Sequence, residues 1–138
     1  MKITQECDYA IRILLMLSKL DSGGRADAGS IAESQCIPSR FTVKILRKLV
    51  QGGLVKSFKG AKGGYRLGRE AAEITLKDVV WLIDGPVEIN KCINESFVCG
   101  RKKKQECSVY CQLLRINDMI GRELENISFA DLGGQEGT

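Results

Sequence analysis

The sequence contains no histidine among its 138 residues. Histidine is the commonest general base, a member of the usual catalytic triads and a frequent zinc ligand, so its absence excludes those chemistries. Hydrophobic runs are short, and none approaches the roughly 18 apolar residues that a transmembrane helix needs. Two early acidic residues and the lack of a small-residue cleavage site disfavour a signal peptide. We therefore expect a non-enzymatic, cytoplasmic protein with no membrane partner.

Charge is distributed unevenly along a chain whose net charge is only +4. The thirty residues from Arg40 to Arg69 carry nine basic side chains, whereas all seventeen acidic residues lie outside that segment. A solvated charged face is the ordinary explanation for a run of charge, but thirty residues without one acid favour a polyanionic partner. The segment therefore predicts contact with nucleic acid.

Hydrophobic periodicity and turn residues predict a winged helix-turn-helix in residues 1–86. The expected elements are helices over about 4–20, 29–35 and 39–51, followed by strands over 54–58 and 65–67 with a glycine-rich tip. In the third helix, Phe41, Ile45, Leu46 and Leu49 are expected to face inward. We assign base reading to the exposed early positions Ser39, Arg40, Thr42 and Lys44, and phosphate contact to Arg47, Lys48, Lys59 and Lys62.

The second half of the chain predicts a helix that begins at a capping box at Thr75 and a cysteine-rich loop over 87–106. A unit over 107–132 follows, with a long helix over about 108–126 and a C-terminal turn. Apolar residues of the long helix form a stripe that fits a dimer interface, although it could also pack on its own domain. A capped turn at Ser128 and a frayed tail over 133–138 complete the chain. The predicted fold is mostly α-helical with a small β-hairpin wing and a long dimerisation helix. We expect a homodimer that binds palindromic double-stranded DNA.

Four of the six cysteines lie within twenty residues, with the spacing C-x6-C-x7-C-x3-C. They are Cys92, Cys99, Cys107 and Cys111. Zinc sites usually contain closer pairs, whereas wide gaps suit a larger group such as an iron–sulfur cluster, and nearby Arg101 to Lys104 would favour thiolates. Unligated thiols and a thiol–disulfide switch remain alternatives. Cys7 and Cys36 are assigned to packing.

Several of these segments together resemble the Rrf2 family of bacterial transcription regulators. The resemblance covers roughly residues 1–132 and is carried by Ile31-Ala32-Glu33, the wing from Lys59 to Leu67, the segment from Ile74 to Val80 with Asp84-Gly85-Pro86, and the spaced cysteines. It implies a winged helix-turn-helix homodimer, joined by a long helix, that senses iron, redox state or nitric oxide through an iron–sulfur cluster. Some relatives lack the cluster and respond through thiols or small molecules.

The resemblance also implies a ligand set. Cys92, Cys99 and Cys107 would bind a [2Fe-2S] or [4Fe-4S] cluster, and Tyr110 falls where one branch of the family has a histidine ligand. Asp8 matches the aspartate of the nitric-oxide-sensing branch and is the expected fourth ligand, reaching from the other subunit, with Cys111 as its rival. The alternatives are a clusterless thiol-based or zinc-dependent regulator and an electron-transfer iron–sulfur protein, the last disfavoured by the acid-free basic segment.

Overall fold

A computed structural model describes residues 1–101 and 103–135. Lys102 of the cysteine loop and residues 136–138 of the expected tail lie outside the described residues. The α-helices are α1 (Gln5–Ser18), α2 (Ala28–Gln35), α3 (Ser39–Gln51), α4 (Leu76–Ile83), α5 (Ser108–Asn126) and α6 (Phe129–Gln135). The strands are β1 (Val55–Phe58) and β2 (Gly64–Leu67), and short 3-10 helices span Ala71–Glu73, Lys91–Ile93 and Lys104–Glu106.

Local side-chain caps mark where helices α1 and α4 begin. The Thr4 hydroxyl accepts a hydrogen bond from the Cys7 backbone N–H at the start of α1. At the start of α4, Thr75 and Asp78 each bond the other's backbone N–H, which is the capping box expected from the sequence. Each cap satisfies amide groups that have no partner inside the helix.

The wing is an antiparallel hairpin in which Val55 pairs with Leu67 and Phe58 pairs with Gly64. Ala26, which precedes α2, forms an isolated antiparallel bridge with Tyr65 and so ties the hairpin to the helix-turn-helix. Gly64 has a φ of 135°, and a Cβ there would lie 2.9 Å from the Ala26 carbonyl oxygen. Only glycine fits this close approach of two backbones.

The main hydrophobic core surrounds α1, whose Ile13 and Leu14 are fully buried against Leu46 and Leu49 of α3. A second cluster joins Cys7 of α1 to Val80 and Val87, with Ile120 and Leu124 of α5 packed against it. Part of the apolar stripe of α5 therefore packs on its own domain. Among the described residues, no helix combines the length and hydropathy that a membrane crossing requires.

The expectation of a frayed tail from Gly133 is wrong for residues 133–135, which continue helix α6. Phe129 of this helix is fully buried in the main core. The Phe129 N–H donates to the Ile74 carbonyl at 2.9 Å, and Leu76 N–H donates to the Ile127 carbonyl at 2.9 Å. The C-terminal helix thus returns to the N-terminal unit and completes its core.

Candidate nucleic-acid interface and cysteine cavity

Helix α3 begins directly after Pro38 and presents two contrasting faces. Ile45, Leu46 and Leu49 are buried, as expected for a helix that packs on α1 and α2. Ser39, Arg40, Lys44 and Arg47 are exposed. The four polar residues are therefore free to meet a ligand that lies across the outer face of α3.

Two assignments within α3 require correction. Thr42 is fully buried and its hydroxyl donates to the Pro38 carbonyl at 3.2 Å, so it is not on the exposed face where base reading was expected. Phe41 was expected to face inward, but its side chain is 40% exposed. The hydroxyl of Thr42 can be buried because it satisfies its hydrogen bond within the helix, one turn back.

Lys48 lies on the flank of α3 and is already paired. Its ammonium group donates to the Glu6 carboxylate at 2.6 Å, and the side chain is only 38% exposed. Glu6 belongs to the first turn of α1, so this ion pair joins α3 to α1. The expected phosphate contact of Lys48 would have to compete with this bond.

The wing places Lys59 and Lys62 on its exposed tip. Arg25, which precedes α2, holds that tip: its guanidinium group lies 3.6 Å from the centre of the Phe58 ring and donates to the Lys62 carbonyl at 2.9 Å. Sequence reasoning missed Arg25 because it lies outside the basic segment and acts through a tertiary contact. No local sequence signal indicates this pairing.

Lys56 of β1 and Arg66 of β2 stand directly opposite each other in the hairpin. Like charges at opposed positions destabilise a strand pair unless another charge compensates them. The Arg66 guanidinium group also lies 4.8 Å from the Phe58 ring centre, which keeps it on the wing. This pair extends the positive surface beyond the residues that were singled out from the sequence.

Three of the spaced cysteines line one cavity of about 290 Å³. Cys92 comes from the short helix at the start of the loop, Cys99 from the loop itself, and Cys107 from the N-cap of α5.

The rest of the cavity lining is apolar or basic. Phe97, Val109 and Tyr110 supply apolar walls, and Arg101 and Lys104 are the basic residues of the lining. Cationic groups favour thiolates and offset their negative charge.

Cys107 has the most distinctive environment of these thiols. Its Sγ accepts a hydrogen bond from the Tyr110 backbone N–H at 3.5 Å, at the N-terminus of α5. This bond lowers the pKa of the Cys107 thiol below its ordinary value, with further lowering from the Val109 amide and the charge of Arg101. The thiolate form, which is the form that binds metals, is therefore favoured at this position.

The two candidates for a fourth ligand lie apart from this cavity. Cys111 is exposed, one helical turn after Cys107, and is not among the residues that line the cavity. Asp8 lies on α1, where its carboxylate accepts a hydrogen bond from Arg12 at 2.6 Å in an i,i+4 ion pair. Within one protomer, the described structure does not bring Asp8 to the three thiols.

The remaining cysteines differ from each other. Cys7 is fully buried, and burial followed by the nearby charge of Asp84 raises the pKa of its thiol to about 12. The packing role expected of Cys7 is confirmed. Cys36 is exposed, so its assignment to packing is wrong. With a φ of 55°, Cys36 occupies the left-handed position that ends α2.

The arrangement of the cysteine thiols can be compared with what a single metal ion and an iron–sulfur cluster each require. A tetrahedral zinc site with Zn–S bonds of about 2.3 Å needs sulfur atoms within about 4 Å of one another. In residues 1–101 and 103–135, no three Cys, Asp or Glu side chains stand close enough to hold a single ion. Three thiols around one cavity, with two cations beside them, fit a larger thiolate-bound group such as an iron–sulfur cluster better than a single ion.

Comparison with known proteins places this architecture in a family. A family model described as "Iron-dependent Transcriptional regulator", Rrf2, matches residues 3–135. The chain belongs to the Rrf2 family. The resemblance inferred from the wing and the spaced cysteines is thereby confirmed.

Curated relatives in this family are named as transcriptional regulators. The HTH-type transcriptional regulator CymR of Bacillus subtilis is 29% identical over 132 residues, which cover 96% of this chain and 89% of CymR. IscR of Photorhabdus laumondii is 27% identical over 132 residues, which cover 96% of this chain and 79% of IscR. A putative HTH-type regulator of Mycobacterium tuberculosis is 38% identical over 87 residues, and the match spans about half of that relative, 54%.

Solved structures agree with the fold. CymR of B. subtilis, described as "the Global Cysteine Regulator", superposes with a TM-score of 0.81 at 27% identity and covers 98% of both chains. T. potens IscR superposes with a TM-score of 0.73 at 25% identity and covers 96% of this chain and 85% of its own. The winged-helix fold expected from the sequence is confirmed. The chain is a transcriptional regulator of the Rrf2 type, not an enzyme.

Proposed function

We propose that this Rrf2 regulator is a cytoplasmic homodimer that binds palindromic double-stranded DNA and senses iron, redox state or nitric oxide through an iron–sulfur cluster. The single observation that carries the sensing role is the cavity shared by Cys92, Cys99 and Cys107. A cluster bound there, [2Fe-2S] or [4Fe-4S], would supply a centre that responds to oxidants and small diatomic ligands. We propose that the protein acts as a repressor.

The DNA contacts are proposed from exposure and charge. Ser39, Arg40 and Lys44 lie on the exposed start of α3 and would reach base edges in the major groove, as in other helix-turn-helix proteins. Arg47, Lys59 and Lys62 would contact phosphate, and Arg25 would fix the wing tip for that contact.

Two residues expected at the interface are left out of this proposal. Thr42 is excluded from the interface by burial, and Lys48 contributes mainly to the ion pair with Glu6.

Lys59→Ala and Arg40→Ala distinguish the two kinds of contact. Removing Lys59 should weaken binding to all duplexes and reduce the salt slope of log K by about one per contact, because a phosphate contact releases a counterion. Removing Arg40 should cost about 1–3 kcal/mol on a selected site and little on random DNA. Titrations at several salt concentrations measure both effects. Equal losses on selected and random DNA would make Arg40 a phosphate contact instead.

The thiols of the cavity are prepared for ligation by the chain itself. The N-terminal amides of α5 stabilise the Cys107 thiolate, while Lys104 bonds the Asn94 carbonyl at 3.0 Å and lies 5.1 Å from the Tyr110 ring centre. Lys104 therefore links the loop to the start of α5 beside the cysteines.

Asp8 is proposed to reach the cavity from the partner subunit, as in the branch of the family that Asp8 matches. Arg12 would have to release the Asp8 carboxylate, which costs little because the pair is about half exposed and surface ion pairs contribute about 0–1 kcal/mol. The exposed Ile116 and Met119 of α5, 39% and 51% exposed, support a dimer in which this helix is covered.

A continuous set of contacts could carry a change in the loop to the DNA-binding helix. The buried Asn117 of α5 donates to the Val87 carbonyl at 2.8 Å and accepts from the Ile89 N–H at 3.0 Å, so the loop is fixed to α5. Ile120 and Leu124 of α5 then pack against Val80 of α4.

Helix α4 completes this set of contacts. Its Leu82 side chain lies so close to Gly52, at the end of α3, that a Cβ there would stand 2.5 Å from it. A shift of α5 would therefore be transmitted through α4 to α3 by direct packing.

Anaerobic reconstitution with iron and sulfide tests the ligand set. Cys92→Ala, Cys99→Ala and Cys107→Ala should each lose the visible chromophore and the bound iron, and Asp8→Ala should alter the spectrum and shorten its lifetime. Cys111→Ala and Cys36→Ala are the matched controls and should retain both. Loss of the cluster in Cys111→Ala with an unchanged Asp8→Ala would reverse the fourth-ligand assignment.

A clusterless thiol-based regulator is the second candidate. It is supported by the similarity to CymR, a cysteine regulator by its description, and by the lowered pKa of Cys107. If wild-type protein takes up no iron under anaerobic conditions while oxidation of Cys107 changes DNA affinity, this second function replaces the first. A zinc-dependent regulator is less well supported, because the described thiols do not converge on one ion.

A further inference from the structure

The outer face of α3 contains one residue that its charged neighbours do not explain. At about 100° per residue, positions 40, 43, 44 and 47 share one face of the helix, opposite the buried Ile45, Leu46 and Leu49. Three of the four are basic, but the fourth is Val43, whose side chain is 44% exposed. A half-exposed valine at the edge of a basic face is neither part of the core nor a partner for phosphate.

Phe41 is also exposed, but its situation differs. It lies about 100° around the helix from Arg40, on the flank, and the Arg40 guanidinium group is 5.0 Å from its ring centre. Phe41 therefore already has a partner within the protein. Val43 lies about 40° from Arg47 and about 60° from Arg40 around the helix, so it is the apolar side chain that would point with them toward bound DNA.

The major groove offers one apolar group to such a side chain. The thymine C5 methyl group distinguishes a T·A pair from every other pair, and apolar side chains contact it directly. We propose that Val43 is a specificity-determining residue that selects a thymine in each half-site through contact with that methyl group. The inference rests on the proposed DNA-binding function and adds a base preference to it.

The expected size of the effect follows from the area involved. Burying one group of methyl size against another apolar surface changes an equilibrium constant by about fourfold. Arg40 and Lys44, which are long polar side chains one turn apart on the same face, would read neighbouring bases by hydrogen bonds. Removing the methyl group should therefore weaken binding modestly at one position per half-site and leave the other contacts intact.

The test uses the full chain and a duplex selected by that chain from a random pool. Each thymine of the selected duplex is replaced in turn by deoxyuridine, which lacks only the C5 methyl group, and the affinity is measured for wild type, Val43→Ser and Val43→Ile. Val98→Ser is the matched control, because Val98 is 83% exposed and lies in the cysteine loop. Thermal unfolding of each variant verifies that the fold is retained.

We expect one thymine per half-site whose replacement weakens wild-type binding about fourfold. That loss should disappear in Val43→Ser and persist in Val43→Ile and Val98→Ser. If wild type tolerates deoxyuridine at every position, or if Val43→Ser shows the same sensitivity as wild type, the inference is overturned while DNA binding stands. If selection enriches no duplex at all, the proposed DNA-binding function fails as well.

Discussion

At the scale of single residues, the same side chain serves opposite purposes in different surroundings. Cys107 caps α5, where backbone amides lower the pKa of its thiol, whereas burial and then Asp84 raise the pKa of Cys7 to about 12. A thiolate is the reactive species, so a lowered pKa increases reactivity near neutral pH and a raised pKa suppresses it. The six cysteines of this chain are therefore not equivalent.

Alkylation with iodoacetamide under anaerobic conditions tests this difference in the protein without metal. As the pH is lowered, the rate at Cys107 should begin to fall at a lower pH than the rate of free cysteine measured in parallel, because the Tyr110 amide stabilises the Cys107 thiolate. Cys7 should remain unmodified until the protein unfolds. Peptide mass spectrometry over time gives each rate. A rate at Cys107 that falls at the same pH as that of free cysteine, or at a higher pH, would show that the amide contact does not favour the thiolate.

Some residue assignments required the structure. Thr42 was assigned to the exposed face on its polar residue type, although at about 100° per residue it falls on the face of Ile45, Leu46 and Leu49. Its hydroxyl can be buried there because it bonds the preceding turn. The pairing of Lys48 with Glu6 and of Arg25 with Phe58 joins residues more than thirty positions apart. Contacts of that kind depend on the assembled fold, and a single sequence contains no signal for them.

At the scale of elements, prediction succeeded where the signal was local. The bounds of α3 and α5, the capping box of α4 and the strands of the wing follow from caps, glycines and apolar spacing in adjacent residues. Helix α6 was not predicted, because Gly133 and Gly134 lower the helix propensity of this segment by about 1 kcal/mol each. Its stability comes from tertiary packing of Phe129 against α1 and the strand-like bridge between Thr75 and Ser128.

Phe129→Ala tests whether α6 belongs to the core. Because Phe129 is fully buried, its removal should lower the free energy of unfolding by about 3–5 kcal/mol, the usual cost of a large buried aromatic residue. Phe97→Ala is the matched control, since Phe97 is 38% exposed in the cysteine loop and should cost far less. Chemical denaturation of the apo proteins measures both. Equal stability of the two variants would mean that α6 is dispensable for the fold.

At the scale of the whole molecule, charge and thiols occupy different parts of the chain. The acid-free segment Arg40 to Arg69 forms α3 and the wing, and the spaced cysteines lie beyond α4 near the start of α5. Mutations should therefore alter the proposed sensing function and the proposed DNA contacts separately. The packing of α5 on α4 and of α4 on the end of α3 is one route by which they would communicate.

The most direct measurement compares the affinity of anaerobically reconstituted and metal-free protein for one selected duplex at fixed salt. Coupling between two sites typically amounts to about 1–3 kcal/mol, so the two forms should differ in Kd by about 5- to 150-fold. Cys92→Ala should match metal-free wild type under both conditions. The same Kd for both forms of wild type, with iron verified in the reconstituted sample, would contradict a regulatory role for the cysteine cavity.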